Sequence, residues 1–203
     1  NDRDWSDVEH TYQTALNMVD ERLLGKSIAD RDKFKIKEVH TKALSLDDIE
    51  SLPRENAIIL VKSAPNTRKS SVAIEEYRKL CGFKNGIYLS TDKSTISSFT
   101  EGRIWAHYLD GGHKPTDKRF WAQKQDWLAT TDQSSRFYLD EDEVTYPEGG
   151  PFDFVVIDEA EAVHLNITNP NAYQSTRQIY DFCERAKVVM MLDANMTGEI
   201  SGS

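Results

Sequence analysis

Only two cysteines occur in 203 residues. Cys81 and Cys183 lie far apart, in segments that read as helical, so they fit reduced structural thiols of a cytoplasmic protein and not a disulfide framework. Long hydrophobic runs are also missing. No stretch nears the roughly 18 consecutive apolar residues of a membrane span. The opening Asn1-Asp2-Arg3-Asp4 is too polar for a signal peptide, and a start on Asn1 instead of Met leads us to expect an excised segment. Basic residues are in deficit: 25 Lys and Arg face 34 Asp and Glu, for a net charge of −9. That argues against a dedicated, strongly basic grip on nucleic acid, although charge can be sorted locally. His10, His40, His107, His113 and His164 form no ligand-spaced set with the cysteines, which excludes a zinc centre of ordinary pattern. Neither a Ser–His–Asp nor a Cys–His nucleophile is visible, and there is no repeat. The acidic blocks Asp140–Glu143 and Asp30–Asp32 read as solvated loops.

What is present is an alternation. Ser6-Asp7-Val8-Glu9 has the form of a capping box, and Val8, Tyr12, Ala15, Leu16, Val19 and Leu23 follow at helical spacing, predicting a helix over 6–24. Phe34 and Ile36 alternate with lysines like a short strand, and Ser45-Leu46-Asp47-Asp48 caps a short helix that Pro53 ends. Ala57–Val61 is a continuous apolar run, as in a strand buried on both faces. A polar loop, Ser63–Arg68, leads into a helix over 69–80. Gly86–Ser90 is a second strand, followed by a helix carrying Ile96 and Phe99. Phe152–Ile157 and Lys187–Leu192 are further strands, with a helix over 172–185 between them. Between 103 and 150 the pattern loosens into an insertion, in which Thr116–Ala129 reads as a helix. Its aromatics Trp105, Tyr108, Phe120, Trp121 and Trp127 read as core at helical spacing. Base stacking is the alternative, with Lys114, Lys118, Arg119 and Lys124 close by. Strands alternating with helices imply an α/β fold with a mainly parallel sheet, which binds ligands at the carboxyl ends of its strands.

Three strand ends carry chemistry. Ser63-Ala64-Pro65-Asn66-Thr67-Arg68-Lys69-Ser70 sits where a P-loop, Gly-x-x-x-x-Gly-Lys-[Ser/Thr], would sit, between a buried strand and a helix. Lys69 and Ser70 stand correctly for phosphate and Mg²⁺, but Ser63 and Arg68 replace the glycines. Glycine gives close backbone approach and positive φ. Arg68 does not, so its guanidinium either meets phosphate itself or blocks the loop. An ordinary polar loop is the plain alternative. Val155-Val156-Ile157-Asp158-Glu159 ends a strand in adjacent acids, the pattern of a Mg²⁺-holding carboxylate followed by one that activates water. Met191-Leu192-Asp193-Ala194-Asn195 places a polar turn after the last strand.

Taken in order, Ser63–Ser70, Tyr88-Leu89-Ser90-Thr91, Val156–Glu161 and Leu192-Asp193-Ala194-Asn195 resemble motifs I, Ia, II and III of superfamily 2 helicases. The closest flavour is the origin-binding-protein type of viral, phage and plasmid replication. The resemblance covers about residues 55–198 and is degenerate at motif I. It implies a RecA-like P-loop NTPase, a three-layer sandwich spanning 53–203, with an insertion at 103–150 and an N-terminal helical extension over 1–52. It implies ATP and Mg²⁺ as cofactors, with Ser63, Asn66, Thr67, Arg68, Lys69 and Ser70 around the phosphates. Ser70 and Asp158 would hold Mg²⁺, and Asp158 and Glu159 would form the hydrolytic pair. Ser90, Thr91 and Lys93 would face DNA, and Asp193 and Asn195 would couple the site to it. Replication proteins and a second RecA-like domain would be partners. Without that second domain the expectation is weak or no ATP hydrolysis and no unwinding. A pseudo-ATPase that docks protein or nucleic acid is the alternative.

Overall fold

The computed structural model describes residues 35–40, 45–62, 73–108, 122, 124–140, 143–144, 146–160, 162–163 and 173–193. The expected helix over 6–24, the loop 63–70, all of 109–121, and Asn195 lie outside them.

In chain order the elements are β1 (Lys35–His40), α1 (Leu46–Glu50), β2 (Ala57–Lys62), α2 (Ile74–Cys81), β3 (Gly86–Ser90), α3 (Lys93–Thr100) and β4 (His107–Tyr108). Then come β5 (Trp127–Thr131), a 3₁₀ segment (Asp132–Tyr138), β6 (Leu139–Asp140), β7 (Glu143–Val144), β8 (Phe154–Asp158), α4 (Tyr173–Arg185) and β9 (Val188–Asp193). Seven strands form one sheet in the order β1-β2-β9-β8-β3-β5-β4, with every adjacent pair parallel. β6 and β7 make a separate antiparallel pair, in which Asp140 stands opposite Glu143.

Alternation within the strands sorts the core into two layers. Ala57, Ile59, Val61, Tyr88, Phe154, Val156, Val188, Met190 and Leu192 face α1, α2 and α3, and pack with Ile49, Ile74, Tyr77, Ile96 and Phe99. Ile58, Leu60, Ile87, Leu89, Val155, Ile157, Val189 and Met191 face α4, and pack with Ile179 and Phe182. The steps from β1 to β2, β3 and β5 run one way across the sheet; the steps from β5 to β8 and β9 run back. A single crossover hand therefore puts α1–α3 on one face and α4 on the other, which is the arrangement found. The result is a three-layer α/β/α architecture.

One expectation changes. Trp127–Ala129, read as the end of a helix over 116–129, belongs to strand β5. Its Ala129-Thr130-Thr131 half lacks the large apolar residues that mark the other strands, and all three pair with β3. The short strand expected at Ile36 is β1, which pairs along β2, and Ile49 and Leu52 are buried. α1 does start with the expected cap, which is a reciprocal capping box: Ser45 Oγ accepts from Asp48 N–H at 3.1 Å and Ser45 N–H donates back to Asp48 at 2.9 Å.

The pole of the sheet where β3 and β8 begin is built for rigidity. Asn85 is buried. Its Oδ1 accepts from Asp153 N–H at 2.8 Å, and its Nδ2 donates to Pro151 O at 3.1 Å. Gly86 lies under the Trp127 ring, where a Cβ would come within 2.5 Å of a ring carbon. The opposite pole holds the polar strand ends.

Candidate functional site

Asp158 ends β8 and is 4% exposed. By alternation with Phe154 and Val156 its side chain belongs to the α2–α3 face. Its Oδ2 accepts from the Tyr88 hydroxyl at 2.6 Å, and its Oδ1 accepts from the Glu159 N–H at 3.0 Å. The Tyr88 ring stacks on Phe99 with centroids 3.9 Å apart and planes 3° from parallel. Burial first, and the Asp158 carboxylate second, push the Tyr88 phenol far above its ordinary range, so it acts as a neutral donor.

Glu159 turns the chain out of the sheet. Its φ of 56° lies in the left-handed region, uncommon for a non-glycine residue. Its carbonyl accepts from Val163 N–H at 3.0 Å as the chain turns toward the α4 face, where Val163 is buried. The Glu159 Oε2 accepts from the Thr91 hydroxyl at 3.1 Å. Thr91 follows the last residue of β3, and from there the chain enters α3 on the other face. The carboxyl ends of the neighbours β8 and β3 thus send their connections to opposite faces. Open α/β sheets place ligands in the crevice opened by such a divergence.

Around this crevice the expected residues fall as follows. Ser90 is fully buried, and its hydroxyl accepts from Asp92 N–H at 3.4 Å, which leaves Thr91 and Lys93 as the residues that reach solvent. Asp92 caps α3. Its carboxylate accepts from Thr95 N–H at 3.0 Å and from the hydroxyls of Ser94 and Thr95, and these bonds hold its pKa at about 2. Asp193 ends β9 in register with Lys62, the last residue of β2. Ser63 follows Lys62 directly, so the candidate phosphate loop leaves from the same edge as Asp158 and Asp193. Ser63, Asn66, Thr67, Arg68, Lys69, Ser70 and Asn195 are themselves outside the described residues.

The aromatic residues of the insertion that are described serve the core. Trp127 is 3% exposed, its Nε1 donates to Lys84 O at 3.1 Å, and Trp105 meets it edge-on at 5.2 Å under the Arg78 guanidinium. Phe120 and Trp121 lie outside the described residues. No group of three or more His, Cys, Asp and Glu side chains among the described residues could hold a metal ion. No helix among them is long and apolar enough to cross a membrane. Both thiols are free, and burial pushes that of Cys183 up to about 12, consistent with an inert structural role.

Two site contacts escaped the sequence: Tyr88 with Asp158, and Thr91 with Glu159. Tyr88 was visible only as part of a strand-end pattern. Its partner is 70 residues away, and nothing local announces that β3 and β8 are neighbours.

No protein-family model matches the sequence, and a search of curated proteins returned no significant match.

Proposed function

We propose that this chain is the first motor domain of an ATP-dependent DNA helicase or replication initiator, with a RecA-like P-loop fold and ATP at the carboxyl ends of β2, β9 and β8. The observation that carries the reading is the convergence at one sheet edge. The strand leading into Ser63–Ser70, the strand ending in Asp158-Glu159 and the strand ending in Asp193 lie side by side with β9 in the middle, and all three are parallel. The Asp158 side chain belongs to the face of α2, the helix that follows the candidate loop.

The residues fit the cofactor chemistry. A Mg²⁺ of this kind needs one or two carboxylates beside phosphate oxygens and water, not a protein cage, and Asp158 is such a carboxylate at a strand end. Ser70 and Asp158 would hold the ion, and Lys69 would meet the β and γ phosphates. Bound Mg²⁺ would offset charge on the phosphates. Glu159 takes a proton from the attacking water as its oxygen bonds to the γ-phosphorus, and the bond from that phosphorus to the ADP oxygen breaks. Thr91 and Lys93 lie where a DNA strand would pass, Asp193 and Asn195 would link the two ligands, and a second RecA-like domain and replication proteins would complete the machine.

Calorimetric titration of ATP with Mg²⁺ tests this. Binding by the native chain that Lys69→Ala abolishes supports the reading; no binding by the native chain or by Arg68→Gly removes it. The substitution of Arg68 for glycine favours a second reading, a docking module built on a disabled P-loop. Binding by Arg68→Gly alone would establish that one.

A further inference from the structure

Arg78 carries a charge that the fold leaves without a partner. It stands in the last turn of α2, half-buried. Its guanidinium lies 4.1 Å above the Trp105 ring and 5.5 Å from that of Trp127. Its Nε is buried without an acceptor, and among the described residues the guanidinium makes no hydrogen bond or ion pair. Burial lowers its pKa, and the Glu75 charge offsets only part of this. The acids of α2 are engaged elsewhere. Glu75 pairs with Lys79 at 3.1 Å and with Arg103 at 3.7 Å, and Glu76 pairs with Lys79 at 3.0 Å. Buried charges are ordinarily paired, so this guanidinium is short of an oxyanion.

An apolar side chain stands beside it. Ile104 is 94% exposed. Its backbone is fixed in a turn, where Arg103 N–H donates to Thr100 O at 3.0 Å and Ala106 N–H to Arg103 O at 3.2 Å. On one side of Ile104 in the chain is Trp105, which carries Arg78. On the other is Arg103, whose guanidinium lies 4.8 Å from the Phe99 ring and donates to the Phe99 carbonyl. Phe99 and Trp105 meet edge-on at 6.0 Å. Two guanidinium groups are thus held on one aromatic base, with little left to order on binding. Arginine with tryptophan is the composition enriched at interface hot spots. Trp127 begins β5 and covers Gly86 at the start of β3, so this surface lies at the pole opposite the crevice.

We propose that Arg78, Arg103 and Ile104 form a docking surface for an acidic–apolar segment of a partner protein. A carboxylate of that segment meets the Arg78 guanidinium, and an apolar side chain next to it covers Ile104. A carboxylate offers two acceptors in the geometry of the guanidinium fork. A nucleic-acid strand fits this surface less well. It would bring many charges to a chain of net charge −9, past Glu75, Glu76 and the exposed Glu101, and it has no use for Ile104. The surface stands or falls independently of the nucleotide site.

The test is a peptide array of random sequences with one adjacent pair fixed as Glu-Leu, beside the same array with Gln-Leu, probed with the labelled full chain. The native chain should be retained about tenfold more on the Glu-Leu array, in line with a charge-assisted hydrogen bond. Ile104→Ser, which changes an exposed side chain, should fold as the native chain does and lose the retention. Arg78→Lys keeps the charge without the fork and should lose most of the preference for Glu over Gln. Glu159→Gln, at the other pole, should bind the best Glu-Leu peptide with the native Kd. Equal retention by the two arrays, or retention by neither, overturns the proposal. So does native binding by both Ile104→Ser and Arg78→Lys. Displacement of the peptides by an oligothymidylate also overturns it and gives the surface to nucleic acid.

Discussion

Tyr88 shows how one hydroxyl can serve packing and chemistry at once. Its ring is fixed against Phe99 and its oxygen donates to Asp158, a nearly buried carboxylate. A hydrogen bond to a charged, buried acceptor is worth about 1.5–3 kcal/mol net. Tyr88→Phe keeps the ring and removes the donor, so it should destabilise the fold by about that amount in urea denaturation, with little change in the m-value. The contrast is Glu159→Gln. It keeps a carbonyl oxygen for Thr91 and leaves the positive φ unchanged, so its stability should stay near that of the native chain. Side chains at one crevice are thus separable by stability measurement into those that hold the fold and those that do not.

At the level of elements, helix α3 is set by its first residues. Asp92 accepts from the Ser94 hydroxyl and from the N–H and hydroxyl of Thr95, and these bonds lower its pKa to about 2. A carboxylate whose folded pKa is depressed contributes stability that is fully present above its unfolded pKa, near 3.8, and is lost as pH falls through about 2. The difference in melting temperature between the native chain and Asp92→Ala should therefore hold steady above about pH 4 and shrink from there toward pH 2. Because α3 begins beside Thr91 and Lys93, the same cap keeps the proposed nucleic-acid contact in place. The strand boundaries at the opposite pole depend on Asn85, whose bonds to Pro151 and Asp153 tie the turn before β8 to the start of β3. This network touches none of the crevice residues.

At the scale of the whole molecule, the sheet is held by two apolar layers that meet helices of opposite faces. Phe154 is fully buried and its ring meets Tyr77, Phe83 and Trp127. It sits at the start of β8, in register with Gly86 on one side and Val188 on the other. Truncation to alanine would leave a cavity between elements that cannot all close on it. A loss of about 3–5 kcal/mol is expected for Phe154→Ala, read from urea or thermal unfolding. Ile104 is 94% exposed, so Ile104→Ser should change stability by less than about 0.5 kcal/mol. The two results together would show that the aromatic cluster, and not hydrophobicity as such, carries the fold.

Much of this architecture could be read from local pattern. β2, β3, β8 and β9 are apolar runs buried on both faces, so each announces itself without its neighbours. α1 declares its start through Ser45 and Asp48, and α4 runs Tyr173–Arg185 against an expectation of 172–185. Adjacent acids at a strand end marked Asp158 and Glu159 as candidates, while their contacts with Tyr88 and Thr91 could not be read. β5 was not legible, because Ala129, Thr130 and Thr131 have no apolar run of their own and are strand through pairing with β3. The order of the strands was not legible either. It puts β9 between β2 and β8, and brings Thr91 to Glu159 and Tyr88 to Asp158 across 68 and 70 residues of chain. Periodicity reports which face of a segment is apolar and carries no term for which segment it will meet. Neighbours are chosen when crossover hand, burial on both faces and side-chain fit are satisfied together, and in this chain that choice gives Glu159 its Thr91 partner.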